Sequence, residues 1–143
     1  MAEIQRHIPV PGGFLMVLRQ GDDVLAHLEA LMREADIPAA SVRGFGFAGL
    51  IRFGFFDFER RDYEPRDFRD MEVTALLGTL AWKDGAPAIH AHATATGADF
   101  NAVGGHLLAL TVGRGSFELT ITTHDRRLER RFEEDIGANV LRL

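Results

Sequence analysis

The chain has 143 residues, enough for one domain built on a single core and too short to suggest two. Its net charge of -5, with arginine clusters interleaved by carboxylates, disfavours binding to nucleic acid through phosphate neutralisation. The lack of cysteine excludes disulfides and thiol chemistry, and no apolar run approaches the ~20 residues of a membrane-spanning helix.

Residues 1–20 carry Glu3, Arg6, Pro9, Pro11 and a glycine pair where a signal peptide needs a continuous apolar stretch, so a cytoplasmic location is expected. Phe14 to Leu18 is a short apolar run between Pro11-Gly12-Gly13 and Gln20-Gly21-Asp22, and reads as a strand. From Asp23 the period changes: Val24, Leu25, Leu28, Leu31, Met32 and Ala35 recur at helical spacing, with His27, Glu29, Arg33 and Glu34 opposite. Asp22 is placed to cap this one principal helix. Asp36-Ile37-Pro38 ends it, because proline disfavours the α region in the residue before it.

Ser41 to Gly49 reads as a strand entering a glycine-rich bend. Gly44, Gly46 and Gly49 fit G-x-G-x-x-G, but the aromatic, strand-like Leu50 to Phe58 follows where a dinucleotide site needs a helix N-terminus. The glycines instead suit strands that bend or cross closely. Residues 59–70 are charged, contain Pro65 and read as an exposed connection. Met71 to Lys83 is a long strand, and Lys83-Asp84-Gly85-Ala86-Pro87 turns the chain into the next one.

Along Ile89 to Thr96 the alternation is clean: His90, His92, Thr94 and Thr96 face one way, Ile89, Ala91, Ala93 and Ala95 the other. His90 and His92 thus emerge on one side, about 7 Å apart at a rise of ~3.3 Å per residue. Gly97-Ala98-Asp99 reads as a turn, and a hairpin centred near Asp99 sets His92 opposite His106, which follows Gly104-Gly105. Three imidazoles then converge, the ligand count of a metal site with an open position, and Zn²⁺ or another divalent ion fits that donor set.

Leu107 to Val112 and Ser116 to Thr123 read as two more strands joined by a tight turn at Gly113-Arg114-Gly115, and residues 125–143 are too charged to join the core before Ile136, Val140 and Leu141. About seven strands and one helix make an α+β domain over residues 1–143, a mainly antiparallel sheet covered by the helix. Gly85 before an H-x-H pair also resembles a cupin barrel, but Ala95 and Thr96 stand where a cupin places its glutamate.

In order and spacing, these stretches resemble the plants-and-prokaryotes conserved (PPC) domain, also found beside AT-hooks in plant nuclear proteins. The resemblance is carried by Arg19-Gln20-Gly21-Asp22-Asp23, Gly44-Phe45-Gly46 with Gly54-Phe55-Phe56-Asp57, Glu72-Val73 with Leu77-Gly78, Asp84-Gly85-Ala86-Pro87, His90-Ala91-His92-Ala93 and Gly104-Gly105-His106-Leu107. It implies an α+β homotrimer of the stand-alone prokaryotic type that binds metal through His90, His92 and His106. Arg19 and Asp57 would line a ligand pocket by family position. DNA association is implied by family alone: there is no Arg-Gly-Arg-Pro AT-hook core, and Gly113-Arg114-Gly115 lacks the proline.

The expected function is a trimeric module that binds a metal and a small polar or anionic ligand. The alternative is a zinc-dependent enzyme, in which a three-histidine ion lowers the pKa of its bound water to ~7 and Glu72 serves as general base.

Overall fold

A computed structural model describes residues 3–143. Its elements are β1 (His7–Val10), β2 (Gly13–Arg19), α1 (Val24–Glu34), β3 (Ala39–Asp57), β4 (Asp62–Lys83), β5 (Ala86–Thr96), β6 (Ala102–His124), β7 (Glu129–Glu133) and β8 (Ala138–Arg142). The α+β expectation holds, with eight strands against the seven or so counted. No helix among the described residues is long and apolar enough to cross a membrane.

Three of the strands are long and bent, and that decides the topology. β3 pairs with β4 on one side and β6 on the other, while β5 bridges β4 and β6, so these four close on themselves. β1 and β2 continue the sheet beyond β6. The β7–β8 hairpin joins β4 through a parallel pairing of Trp82 with Glu129. The bend in β3 lies at the glycines: the register against β4 shifts between Gly44 and Gly46, and that against β6 between Gly46 and Ala48. A Cβ on Gly46 would lie 2.3 Å from the Ser116 carbonyl, in a backbone with φ of 153°, so the close crossing needs glycine there.

The core lies under α1, which packs its Val24, Leu28, Leu31 and Met32 face against β5 and β6. Ala91, Ala93 and Ala95 form the inward row of β5, small enough for the helix to sit close. Met16, Leu18, Ile51, Leu76, Leu80, Leu110, Phe117 and Leu119 complete it. Trp82 closes one end, its Nε1 donating to the Ile37 carbonyl at 2.9 Å.

Four expectations need correction, the first being the tight turn at Gly113-Arg114-Gly115, which lies inside the single strand β6. The helix cap is Asp23, whose side chain accepts from the Ala26 amide, and Asp22 is held elsewhere. Most of the charged stretch from 59 to 70 is strand: Asp62 onward pairs with β3, with Pro65 opposite Gly54. Residues 62–70 have no partner on their other side, and an edge is where a proline lacking its N–H is tolerated. The charged C-terminal stretch likewise forms β7 and β8, with one arginine of its cluster, Arg130, buried.

Asp22 ties the N-terminal segment to the start of α1. It accepts from Arg6 Nε at 2.6 Å and from the Arg19 amide at 2.8 Å. Burial alone would raise its carboxyl, but the Arg6 guanidinium and the Arg19 amide outweigh that and hold it below the usual carboxylate range. A carboxylate depressed in the folded state contributes stability that is fully present above its unfolded pKa of ~3.9 and is lost as pH falls through the lower folded value. Asp22→Asn should therefore lower stability at neutral pH and flatten its fall on acidification, which urea titrations at pH 7 and below pH 4 will check.

Candidate metal centre

The period of two along β5 places His90 and His92 on the face opposite the buried alanines. The chain then reverses in a turn braced by Asp99, whose carboxylate accepts from the Asn101 amide at 3.0 Å and from Asn101 Nδ2 at 2.8 Å. Burying no side chain at Gly104 lets β6 return close: a Cβ there would lie 2.6 Å from the Ala93 carbonyl. The resulting register pairs His92 with His106, as the hairpin centred near Asp99 requires. His106 is also where β6 changes partner, since it pairs with Gly54 of β3 on its other side.

The three rings face a common point. His90 Nε2 and His92 Nε2 are 3.2 Å apart, the ring centroids are separated by 5.1–5.4 Å, and one nitrogen from each residue lies within 4.8 Å of the others. Two nitrogens at ~2.0–2.1 Å from a tetrahedral zinc stand about 3.3–3.4 Å apart, so the His90–His92 separation already suits that ion. The third ring needs a small inward adjustment. His90 and His106 are half-buried and His92 is exposed, which leaves one side of the group open.

Electrostatics favour free lone pairs. Burial, with His90, His92 and Arg130 nearby, pushes the His106 imidazole down to about 4, and burial with the Arg130 and His92 charges lowers His90. Both rings are then neutral at pH 7, the state a metal requires. His106 Nδ1 is buried without a hydrogen-bond partner. An orphaned ring nitrogen and an all-imidazole donor set fit a divalent ion, which His90, His92 and His106 would hold.

Two further residues shape the group. Tyr63 of β4 stacks on His106, with ring centroids 4.2 Å apart and planes inclined by 13°, and is itself edge-on to Phe56. It reaches His106 across Gly54, where a Cβ would come within 2.8 Å of the tyrosine ring. Gly54→Val should dislodge Tyr63 and weaken zinc affinity by ~10–100-fold, the usual cost of losing a residue that orients a metal ligand, as read by chelator competition. Arg130 of β7 is the second. It is only 9% exposed, its Nε has no hydrogen-bond partner, and burial lowers its pKa from the usual arginine value.

The other residues singled out from sequence do not join the histidines. Glu72 is exposed, pairs with Phe47 and Thr96, and lines a separate depression with Phe45, Arg114 and Ser116. Asp57 builds the β3–β4 turn by accepting from the Glu59 and Arg60 amides and Arg60 Nε. Arg19 is exposed at the end of β2 beside Ser116. Arg130 was hidden in the sequence by its charged neighbours, although Leu128-x-Arg130-x-Phe132 puts it in an apolar row.

Fold and site together define an α+β protein with a closed strand ring and a three-histidine group open on one side. The model of the Plants and Prokaryotes Conserved (PCC) domain matches residues 10–125, and the chain belongs to that family, the one its motifs resemble. Among solved structures, it is similar to a candidate DNA-binding protein from Ralstonia eutropha, at 48% identity and a TM-score of 0.94 over 96% of each chain. A metal-containing protein from Archaeoglobus fulgidus is similar at 26% identity, with a TM-score of 0.81 over 98% of each chain. A plant- and prokaryote-conserved protein from Pyrococcus horikoshii shares the fold at 23% identity, with a TM-score of 0.81 over 90% of each chain. No curated protein matches the chain.

Proposed function

We propose that this chain is a metal- and small-ligand-binding module, with Zn²⁺ held by His90, His92 and His106. The observation that carries the reading is the approach of three imidazole nitrogens to within 4.8 Å of one another, two of them at 3.2 Å. The Archaeoglobus relative's description as metal-containing supports it. A three-imidazole ion keeps a position free for a ligand and acts there as a Lewis acid.

The binder is favoured over a zinc enzyme by the position of Glu72, which the fold sets apart from the histidines. Asp62 is the carboxylate that lines the cleft beside His90 and His106, and its Oδ1 already accepts from the Tyr63 amide at 2.8 Å. The module assembles as a homotrimer. Leu15, Val17, Phe45 and Leu77 are exposed around one depression on the sheet, an apolar face suited to self-association. DNA association comes only from the description of the Ralstonia relative, and a net charge of -5 opposes it.

Protein purified without a histidine tag and analysed for metal is expected to hold one zinc per chain, and light scattering to give three times the 15.8 kDa chain mass. Metal-free protein that takes up no zinc would sink the module reading, and a monomer the trimer. A salt-sensitive mobility shift with duplex DNA would restore the DNA role.

A further inference from the structure

A cleft of about 330 Å³ opens beside the histidines, with His90, His106, Tyr63, Ile89, Arg130 and Phe132 among its walls. Arg130 is the unusual member. Its side chain is more than nine-tenths buried, yet it makes no ion pair among the described residues, and its Nε is unsatisfied. A buried guanidinium is ordinarily matched by a carboxylate, because taking the charge out of water is costly unless a partner replaces the lost hydration. The cleft holds Arg61 as well, against the single carboxylate Asp62, whose Oδ1 accepts from the Tyr63 amide. With a divalent ion on the histidines, the cleft carries an excess of positive charge that Asp62 alone does not balance.

We propose that this cleft binds a small carboxylate with a neighbouring oxygen donor, such as a 2-hydroxy or 2-oxo acid, with Arg130 as its anchor. The inference rests on the metal reading above, since the histidine-held ion is the second point of attachment. Volume and lining favour this class. A space of that size takes a small molecule, and Ile89, Phe132 and the Tyr63 ring offer apolar cover to a short carbon chain. A guanidinium fork matches the planar carboxylate, whereas phosphate would call for more buried donors than one arginine supplies. Arg130 lies outside the family match, which ends at residue 125.

The test uses the full untagged chain loaded with zinc and titrated calorimetrically with L-lactate, lactamide or inorganic phosphate. Lactate is expected to bind on the order of tenfold more tightly than lactamide, the charge-assisted bond being the difference. Arg130→Met should lose lactate affinity by a similar factor while keeping its zinc, and Arg130→Lys should recover part of it. Equal lactate affinity in Arg130→Met and the parent overturns the anchor, and so does no preference for lactate over lactamide in the parent chain, a comparison that needs no variant. Tighter binding of phosphate than of lactate overturns the carboxylate class. Zinc uptake without lactate binding overturns this inference alone, whereas failure to take up zinc overturns the parent reading with it.

Discussion

Replacing His106 by alanine is expected to abolish stoichiometric zinc uptake. His106 is the one ligand candidate on β6, and its backbone is paired to His92 on one side and Gly54 on the other. Its ring is stacked at 4.2 Å on Tyr63 and lies 5.1 Å from His90. Without it, two imidazoles from neighbouring positions on one strand remain, and no acid, cysteine or further histidine among the described residues joins the group. The loss should exceed the ~10–100-fold that removing a residue which only orients a ligand costs. His92→Ala, at the exposed rim, is the natural companion, and both are read by competition with a chromogenic chelator. Unchanged affinity in His106→Ala would remove the site. Little loss of fold is expected, because the variant also removes a buried nitrogen that has no partner.

The second large effect concerns stability. Phe117→Ala should cost about 3–5 kcal/mol, the range for deleting a buried aromatic ring when the cavity cannot fully collapse. Phe117 is completely buried on β6, paired with Leu18 of β2 and with Gly46 of β3. Its ring occupies space that Gly46 leaves vacant: a Cβ there would approach Phe117 Cδ2 at 2.9 Å. The close crossing of β3 and β6 therefore depends on this ring, and stiff backbone on both sides limits relaxation. Against a total stability of ~5–15 kcal/mol, the loss brings the variant near unfolding at ordinary temperature. Urea titration should show a lower midpoint with an unchanged slope.

The histidine group was legible because its determinants are local. Period two fixes that His90 and His92 share a face, and a short turn fixes which residue returns opposite His92. The glycines of the G-x-G-x-x-G stretch were likewise readable as a bend, since an aromatic strand follows them. What escaped was governed by neighbours distant in sequence. Residues 62–70 look like a loop because only one side of that strand is paired, so neither their charges nor Pro65 is penalised. Arg130 looks like its solvated neighbours because nothing in a run of arginines marks the one that faces a cleft built by β4, β5 and β6. Glu72 was named only as the carboxylate for a general base, with no pairing to place it. The pairing of β4 with β5 then set it opposite Thr96, four residues beyond His92.

The terminal hairpin has a consequence for how such a protein diversifies. It meets the main sheet through a single pairing, Trp82 with Glu129, and its Arg131, Phe132, Asn139 and Arg142 side chains are exposed. Apart from Arg130, whose charge acts on His90 and His106, residues there can be exchanged without altering the strands that carry the imidazoles. If the cleft takes a ligand as proposed, part of its wall can vary without rebuilding the strands that carry the histidines.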